Sequence, residues 1–408
     1  MTVEIRPITD DEYQSWIEAV EAAFGADTHE GDVDRWRRTT ETRRVLAAVE
    51  GERIVAGAAA FSFDLTVPGS RQLRAAGVTM VGVMPTHRRQ GILRRMMARQ
   101  LADARAEGES VAILWASEGL IYQRFGYGLA SLNGAIDIER AKAAFRADQG
   151  RVGTMRLVDA NAAIGLLPQV YDRAARAIPG FVGRDRDWWE TRSLADPEHW
   201  RDGASRKFFA VHERDGEPAG YAIYRIKEDW NERGPRSELR LHELVAVDVE
   251  AERQLWEFIF GVDLVHRVVR WVGPPQPALL LQLAQPELLG ARLSAGLWLR
   301  ILDVPGALAG RGYEQDGQLV INVSDEFMPD LAGRWRLSVR AGKAAAEPTD
   351  DPADIELETN DLAALYLGAF SFADLAQAGR TRELSAGAAV MADRLFASSI
   401  RPWCPQIF

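Results

Sequence analysis

The stretch VGVMPTHRRQGILRR, residues 81–95, indicates a strand that breaks into a basic turn and then opens a helix. Pro85 interrupts the strand because its nitrogen carries no hydrogen to donate to a neighbouring strand. Beyond Gly91 the apolar residues recur at helical spacing, at Leu93, Met97, Leu101 and Ala104. The stretch therefore predicts a strand-turn-helix unit, which is a building block of α/β folds.

The turn has the chemistry of a phosphate-binding site. The first turn of a helix presents about four unpaired N–H groups and roughly half a positive charge. Gly91 lets a pyrophosphate approach the backbone because no β-carbon stands in the way. Arg88, Arg89, Arg94 and Arg95 add positive charge. The same residues also fit a basic surface turn that binds nothing.

The pattern V-x-V-x-P-x-x-R-R-x-G resembles the acetyl-CoA signature of the GNAT acetyltransferases, usually written Q/R-x-x-G-x-G/A. Leu93 stands at the last position of that signature, a departure associated with the enhanced intracellular survival (Eis) family of actinobacterial N-acetyltransferases. The segments ASEGLIYQRFGYG at 116–128 and WLRILDV at 298–304 support that family, as do the length of 408 residues and the apolar chain end at Phe408. By resemblance over its whole length, the chain is identified as a member of the Eis family.

The resemblance implies acetyl-CoA as the cosubstrate and assigns the residues that bind it. The backbone N–H groups of Val81 and Val83, with Gly82 between them, would hold the pantetheine, and the amide of Met80 would face the thioester carbonyl. The pyrophosphate and ribose would be lined by Arg88, Arg89, Gln90, Gly91, Ile92, Leu93 and Arg94, and flanked by Ser117 and Glu118.

Proton transfer needs two further groups, because an attacking amine must lose a proton and the departing thiolate must gain one. The S-E-G-x-I-Y pattern of the family implies that Tyr122 is the general acid, although a buried tyrosine with a purely structural role fits the sequence too. Tyr127 is the nearest rival, and we interpret it as structural. By resemblance, the general base is the terminal carboxylate of Phe408, whose reference pKa of about 3.5 leaves it ionised at neutral pH.

The chain end is unusual in composition. Residues 401–408, RPWCPQIF, are mostly apolar, contain two prolines and have no charged side chain after Arg401. Chain ends usually fray, but an end of this composition gains by docking against the protein. Docking is what the resemblance requires if Phe408 is to act as the base.

The resemblance also implies the acceptor. Family members acetylate polyamines such as aminoglycosides, with protein lysine side chains as further acceptors, by direct attack without an acyl-enzyme. Trp36 and Arg37 would lie near the substrate pocket, together with Met80. The acidic stretch at 27–34 fits either a solvated loop or an anionic mouth for amines, and the net charge of −10 is compatible with small cationic substrates.

The element order predicts three domains. Strand, helix, hairpin, strand, helix and strand succeed one another in residues 1–150, which is the order of a GNAT module. Residues 55–58 resemble residues 218–221 and residues 81–83 resemble residues 245–247, at offsets of 163 and 164 residues, so we predict a second copy over 151–295. This copy is degenerate, since Glu252 and Leu255 stand where the first has Arg88 and Gly91.

The remaining domain, 296–408, reads as α+β. Period-two alternation predicts strands at 319–323, 335–339 and 355–359, with a loop at 341–354 and helices from 361–370 and 374–378. In the resembling family this part is a sterol-carrier fold, which need not carry lipid. The predicted fold class is α/β and α+β, with tandem GNAT folds and a sterol-carrier-like domain.

Composition narrows the other possibilities. Cys404 is the only cysteine and the six histidines lack ligand spacing, so we expect neither a disulfide nor a metal. The negative charge disfavours nucleic acid. Without a signal peptide or a span of about 20 apolar residues, we expect a cytoplasmic protein without membrane partners. The resemblance implies a homohexamer, and the alternative function is a non-catalytic CoA- or lipid-binding regulator on a GNAT scaffold.

Overall fold

The structure is a computed structural model that describes residues 3–147 and 150–408. Its N-terminal part follows the predicted order of elements. The elements there are β1 (Glu4–Pro7), α1 (Tyr13–Phe24), α2 (Asp32–Thr39), β2 (Val45–Glu50), β3 (Arg53–Val67), β4 (Arg71–Val83), α3 (Ile92–Ala106), β5 (Val111–Trp115), α4 (Gly119–Gln123), β6 (Gly128–Leu129) and β7 (Leu132–Glu139).

The middle part repeats the scheme and the C-terminal part adds a small sheet. The middle elements are β8 (Thr154–Val158), α5 (Ala160–Ala175), α6 (Arg186–Trp188), β9 (Phe208–Arg214), β10 (Glu217–Lys227), β11 (Trp230–Asn231), β12 (Gly234–Pro235), β13 (Ser237–Ala246), α7 (Val249–Gly261), β14 (Val265–Arg270), α8 (Leu279–Gln282) and β15 (Arg292–Ala295). The C-terminal elements are β16 (Leu297–Ile301), α9 (Val304–Gly310), β17 (Gly317–Ser324), β18 (Gly333–Arg340), β19 (Lys343–Pro348), β20 (Ile355–Glu358), α10 (Thr359–Tyr366), α11 (Phe372–Gln377), β21 (Arg382–Glu383) and α12 (Ala388–Phe396).

The chain divides into two compact units. The first unit contains the residues up to Ser131, Leu297–Ser399 and Ile407–Phe408, and the second contains Leu132–Gly296 and Ile400–Gln406. Among the helices of the described residues, none combines the length and the apolar character that a membrane crossing requires.

The two large sheets do not follow chain order at their ends. The first sheet has the order β1-β2-β3-β4-β5-β16-β6, and the second has the order β15-β7-β14-β13-β10-β9-β8. β16 therefore completes the first sheet although it comes after every strand of the second, and β7 joins the second sheet although it directly follows β6. Each sheet borrows a strand from the part of the chain that builds the other. The predicted domain bounds at 150 and 295 stay predictions.

The core of the first sheet explains why its strands are so apolar. α1 buries Tyr13, Trp16, Ile17 and Val20 against β2 and β3 on one face, and α3 buries Ile92 and Met96 against β2 and β3 on the other. Because both faces are covered, the strands read as nearly continuous apolar runs. α1 ends at Phe24 and is followed by Gly25, whose φ of 72° is the left-handed conformation that closes a helix.

The second sheet corrects one part of the predicted repeat. β13 ends at Ala246 and α7 begins at Val249, so only two residues separate strand and helix. Glu252 and Leu255 consequently lie inside α7 and not in a turn equivalent to residues 88–91. The residue-by-residue match was wrong because the second copy lacks the long turn altogether. The carboxylate of Asp248 accepts a hydrogen bond from the Ala251 N–H at 2.9 Å and so occupies the helix N-terminus.

The C-terminal domain is built on a five-stranded sheet with the order β19-β18-β17-β20-β21. The predicted loop at 341–354 was wrong in part, because β19 lies within it and pairs with β18. Its sequence, KAAAEP, is poor in β-branched and aromatic residues. β19 is an edge strand, and its pairing with β18 provides what its own propensity does not.

Arg311 ties the helices of this domain together. Its guanidinium is fully buried and donates to the backbone oxygens of Tyr366 at 2.8 Å and Phe396 at 2.6 Å, the last residues of α10 and α12. It also donates to the carbonyls of Gly312, Leu395 and Ala397. A cation at the carboxyl ends of two helices satisfies their unpaired carbonyls and complements their dipoles.

We predict that Arg311→Met lowers the free energy of unfolding by at least about 3 kcal/mol, because several buried carbonyls lose their donor at once. Urea denaturation of the full chain, followed by tryptophan fluorescence, measures the effect as a lower midpoint. Arg394→Met makes the same substitution at an exposed position of α12 and should stay within about 0.5 kcal/mol of wild type. Equal midpoints for the two variants would contradict this role of Arg311.

Candidate active site

The central feature of the first unit is a divergence of β4 from β5. Within the described residues the two strands pair only over Ala75–Gly77 and Val111–Ile113. β4 continues beside β3 as far as Val83, with a bulge that sets Met80 and Val81 opposite the single residue Ala58. Met80 has a φ of 52°, which turns the strand at that point. Backbone groups of β4 that would otherwise pair with β5 thus face an open cleft.

The cleft leads into a cavity of about 690 Å³ on the α3 side. It is lined by most of the predicted cofactor residues, namely Val81, Gly82, Val83, Arg88, Arg89, Gly91, Ile92, Leu93, Arg94, Ser117 and Glu118, together with Tyr122. Gln90 is not among the lining residues, and its amide donates to the backbone oxygen of Thr86 at 3.4 Å. Met80, Trp36 and Arg37 also lie outside this lining.

The basic turn has the backbone of an anion site. Arg89 and Gly91 have φ values of 62° and 76°, both left-handed, and Gln90 between them does not. Such alternation curls consecutive N–H groups into a concave surface that suits an anion. A β-carbon at Gly91 would meet no heavy atom within 4 Å, so the space in front of the helix N-terminus is empty of protein.

Arg88 holds the turn in place. Its guanidinium donates to the backbone oxygens of Val83 at 3.1 Å and of Ala23 at 3.0 Å. The first residue ends β4 and the second lies in the last turn of α1, so Arg88 connects both elements to the turn. Its guanidinium is therefore fixed by the protein as well as adding the positive charge that the sequence predicts.

Tyr122 projects into the same cavity from α4. Its side chain is only 8 % exposed, and burial, with a smaller contribution from the Glu118 carboxylate, raises its pKa to about 12. The Tyr127 ring packs edge-on against it at 5.8 Å between centroids. Tyr127 is fully buried, and among the described residues its hydroxyl has no hydrogen-bond partner.

The opposite face of the sheet receives the end of the chain. The ring of Phe408 packs edge-on against Phe63 at 5.0 Å and against Phe61 at 6.3 Å. Phe63 lies over Gly77, where a β-carbon would come within 2.4 Å of its ring, so only glycine leaves room for it. Trp36 stacks on Phe61 at 6.0 Å, which brings this predicted substrate residue into the same aromatic group.

Tyr122 and Phe408 therefore lie on opposite faces of the sheet. Ala60 of β3 belongs to the buried cluster that contains Tyr122. Its neighbour Phe61 points the other way, as alternate residues of a strand do. Where β4 and β5 diverge, these two neighbouring strands of the sheet are no longer paired.

Comparison with known proteins decides the family. Residues 4–130 and 180–301 each match a family described as an acetyltransferase (GNAT) domain, and residues 304–405 match a sterol carrier protein domain. An uncharacterized N-acetyltransferase of Streptomyces coelicolor is 39% identical over 100% of both chains. The N-acetyltransferase Eis of Mycobacterium tuberculosis is 34% identical over 98% of each chain.

The crystal structure of Eis1 from Mycobacterium abscessus superposes with a TM-score of 0.86 at 31% identity, covering 99% of this chain and 100% of that one. The chain belongs to the Eis family of GNAT N-acetyltransferases. This confirms the predicted family and the fold of two GNAT domains followed by a sterol-carrier-like domain. The protein is an acyltransferase, and acetyltransferases of the GNAT fold use acetyl-CoA.

Not every expected residue joins the site of this Eis-family protein. Arg37 donates to the backbone oxygen of Asp10 at 3.1 Å, and its guanidinium lies 4.9 Å from the ring centroid of Tyr13. It points away from the stack of Trp36 on Phe61, so its role toward substrate stays a prediction. Within residues 3–147 and 150–408, no group of three or more His, Cys, Asp and Glu side chains is arranged to hold a metal.

Sequence reasoning missed several residues that line the cavity. They are Ala23, Phe24, His87, Ile121, Arg124 and Phe125. The periodicity of α1 assigns Phe24 to the apolar face, but the structure leaves it 53 % exposed. Its position directly before the helix-ending Gly25 was the available signal, because the last turn of a helix often projects beyond the core.

The C-terminal domain supports the cavity from behind. The ring of Phe327 packs at 5.0 Å against Phe125, and the guanidinium of Arg94 lies 5.0 Å from the Phe327 centroid. The carboxylate of Asp325 accepts from the backbone N–H of Phe327 at 3.0 Å and pairs with the buried Arg300 at 2.6 Å. Two cavity residues thus depend on a loop more than 200 positions away in sequence, a contact that no local pattern reveals.

We predict that Gly91→Ala weakens CoA binding by about tenfold or more, a loss of about 1.4 kcal/mol. The added methyl group enters the space in front of the helix N-terminus, and left-handed φ strains any residue other than glycine by roughly 1–2 kcal/mol. Isothermal titration with CoA measures the change.

The matched control for this prediction is Gly108→Ala. Gly108, just beyond the other end of α3, has a φ of 81° and equally open space around a β-carbon. It should lose similar stability and keep the wild-type dissociation constant. Equal CoA affinities for the two variants would count against a phosphate site at Gly91.

Proposed function

We propose that this protein transfers the acetyl group of acetyl-CoA to amino groups of small polyamines, aminoglycosides among them, by direct attack in a ternary complex. One observation carries the proposal. β4 and β5 diverge beside the cavity that contains Tyr122, and the aromatic group that packs on Phe408 lies on the other face of the same sheet. A cofactor and an acceptor can therefore meet from opposite faces of the sheet.

The cofactor occupies the α3 side in this proposal. Its pyrophosphate lies on the N–H groups of the basic turn and the start of α3, beside Arg89 and Arg94. The pantetheine extends β4 by pairing with the backbone N–H groups of Val81 and Val83, residues that do not pair with β5 in the described part of the chain. The thioester carbonyl then faces the amide of Met80, which donates to the oxyanion that develops during attack.

Tyr122 acts as the general acid. With a pKa of about 12, its hydroxyl stays protonated at every pH at which an amine is a useful nucleophile. The amine nitrogen forms a bond to the carbonyl carbon, the carbon–sulfur bond breaks, and the sulfur takes the hydroxyl proton. The raised pKa keeps this donor protonated even above pH 10, where ionisation would remove the proton and repel the thiolate.

The terminal carboxylate of Phe408 acts as the general base. It accepts the proton that the attacking nitrogen must lose, and solvent afterwards returns a proton to the Tyr122 phenolate. The contacts with Phe61 and Phe63 fix the last residue beside the cleft. Among the described residues that line the cavity, the only His, Asp or Glu side chains are His87 and Glu118. Both lie on the cofactor side.

The acceptor side suits a cation. Trp36, Phe61 and Phe63 present aromatic rings next to a carboxylate, and ammonium groups bind favourably to aromatic faces. The acidic residues of 27–34 and the net charge of −10 add long-range attraction. Lysine side chains of proteins share this chemistry. A homohexameric assembly stays a prediction from the resemblance, and a cytoplasmic location stays a prediction from the sequence.

We predict that the protein releases free thiol from acetyl-CoA in the presence of an aminoglycoside panel, and that Tyr122→Phe lowers kcat by about 100-fold or more. Because the pKa of Tyr122 is raised, wild-type kcat should not fall between pH 8 and about 10, as activity is lost only when pH approaches 12. A thiol-reactive dye follows both experiments.

Tyr127→Phe is the matched control, because it removes a buried hydroxyl that has no partner among the described residues. Its kcat should stay within about threefold of wild type. CoA binding without thiol release from any amine would instead favour a non-catalytic CoA-binding regulator.

We predict that deleting Phe408, or adding one glycine after it, lowers kcat by about 100-fold or more and leaves CoA affinity nearly unchanged. The added residue moves the carboxylate by about 3.5 Å while the aromatic ring remains. Phe408→Leu keeps the carboxylate and loses the ring, so it should retain much more activity than either variant. Turnover at the wild-type rate after deletion would rule out the terminal carboxylate as the base.

A further inference from the structure

The strand β16 separates the two strands that α4 connects. In the first sheet β16 lies between β5 and β6 and pairs antiparallel with both. The chain runs from β5 through α4 into β6, so the segment 116–127 has to cross over β16. All of these elements belong to the first unit. The helix that carries Tyr122 therefore lies over a strand that follows the whole second GNAT module in sequence.

One side chain of β16 packs against the start of α4. Trp298 is 7 % exposed and belongs to the same buried cluster as Tyr122. Gly119 is the first residue of α4, and a β-carbon there would lie 2.7 Å from Cζ2 and 3.1 Å from Cη2 of the Trp298 ring. The helix therefore rests directly on the indole, with no room for a side chain between them.

A second side chain of β16 packs against the turn that follows α4. Arg300 is fully buried and lies two residues after Trp298, and alternate residues of a strand project to the same face. A β-carbon at Gly126 would lie 2.6 Å from Cζ and 3.1 Å from Nε of the Arg300 guanidinium. Trp298 and Arg300 thus contact the two ends of the α4 segment, each at a glycine.

The turn at Gly126 is connected to Tyr122 itself. Gly126 has a left-handed φ of 80°. The backbone oxygen of Tyr122 accepts from the N–H groups of Phe125 at 2.9 Å and Tyr127 at 3.3 Å, on either side of this glycine. A shift of the turn against Arg300 would therefore move the backbone of Tyr122.

A buried carboxylate holds Arg300 in place. Oδ2 of Asp325 lies 2.6 Å from Nη1 of Arg300, and both side chains are almost completely buried. The same oxygen accepts from the hydroxyl of Thr359, the first residue of α10, at 2.8 Å. Separating such a pair would leave a buried charge without its partner. The C-terminal domain thus fixes the guanidinium on which the turn at Gly126 rests.

These contacts bring together two segments that the sequence analysis singled out. Gly119 and Gly126 lie in ASEGLIYQRFGYG at 116–128, whereas Trp298 and Arg300 lie in WLRILDV at 298–304. Each glycine of the first segment makes room for one large side chain of the second. The proposed function gives the second segment no role, and its shape complements the first.

We propose that Trp298 and Arg300 form a seat for α4 and are positioning residues for the Tyr122 hydroxyl. The inference rests on the proposed role of Tyr122 as the general acid. α4 has only five residues, and a helix of that length does not hold its own conformation in water. Its position depends on what it packs against. The seat therefore acts on proton donation and leaves the backbone of β4 and the basic turn, which bind the cofactor in the proposal, unchanged.

The first test exchanges volume between Gly119 and Trp298 in the full chain. Gly119→Ala places a methyl group against the indole, and Trp298→Phe removes the outer ring atoms that this methyl group would meet. Each single variant should lower kcat by roughly tenfold or more, because small misplacements of a reacting group have large effects. The double variant should recover most of kcat. Nε1 of Trp298 has no hydrogen-bond partner among the described residues, so phenylalanine changes only the volume.

The second test asks whether the effect passes through Tyr122. Substitutions that act through one group are not additive. In a Tyr122→Phe background, Gly119→Ala should therefore change kcat by less than about threefold. The dissociation constant of CoA, measured by isothermal titration, should equal that of wild type in every variant. Gly165→Ala adds the same methyl group to a helix where no heavy atom lies within 4 Å, and it should keep the wild-type kcat.

The third test addresses the other end of the seat. Arg300→Lys keeps a charge for Asp325 but lacks the planar group that packs on Gly126. It should lower kcat by roughly tenfold and leave the dissociation constant of CoA unchanged. Arg340→Lys makes the same substitution at an exposed position of β18 and should turn over like wild type.

The outcomes separate this inference from the proposed function. If Tyr122→Phe is slow but Gly119→Ala and Arg300→Lys turn over like wild type, the seat is refuted and the acid stands. If Gly119→Ala lowers kcat equally with and without the Tyr122 hydroxyl, the contact does not act through Tyr122, and the inference is also refuted. If Tyr122→Phe turns over like wild type, the proposed acid itself fails.

Discussion

The loss of pairing between β4 and β5 is the constraint on which the rest of the first unit depends. A bulge at Met80 keeps β4 bound to β3 while it leaves β5 behind. β4 is therefore hydrogen-bonded to β3 along one edge, and beyond Gly77 its other edge does not pair with β5. The unpaired edge of β4 borders the cavity that Tyr122 lines, so the same divergence gives the cavity both its open backbone groups and its position in the sheet.

The parts of the site that the sequence predicted are those decided locally. The turn at 84–91 is determined by Pro85, by glycine at a left-handed φ and by the apolar spacing of α3, all within about twenty residues. Tyr122 is predicted by the short S-E-G-x-I-Y motif, which leads into α4. The conformation of such a segment depends mainly on its own backbone preferences and capping, so a family resemblance in these short motifs named most of the residues that line the cavity.

The remaining features depend on contacts between distant residues. The residue pattern of β16 does not predict that it joins the first sheet, nor does that of β7 predict the second sheet. Either strand has a pattern that would fit either sheet. β19 has weak strand propensity and forms because it pairs with β18. Arg37 points away from the stack of Trp36 because it finds a carbonyl at Asp10. Phe327 supports Arg94 from another domain. Local propensity is silent on all of these, since tertiary pairing decides them.

A chain end is a demanding place for a reactive group. Ordering eight residues opposes docking by about 8–16 kcal/mol of backbone entropy. Pro402 and Pro405 reduce that term because they restrict the unfolded chain, and burial of the Trp403 ring offsets part of the rest. In return, a terminal carboxylate has no side-chain torsions of its own. Its position is set by the main chain alone, which is the physical argument for proposing the Phe408 carboxylate, and not a mobile side chain, as the base.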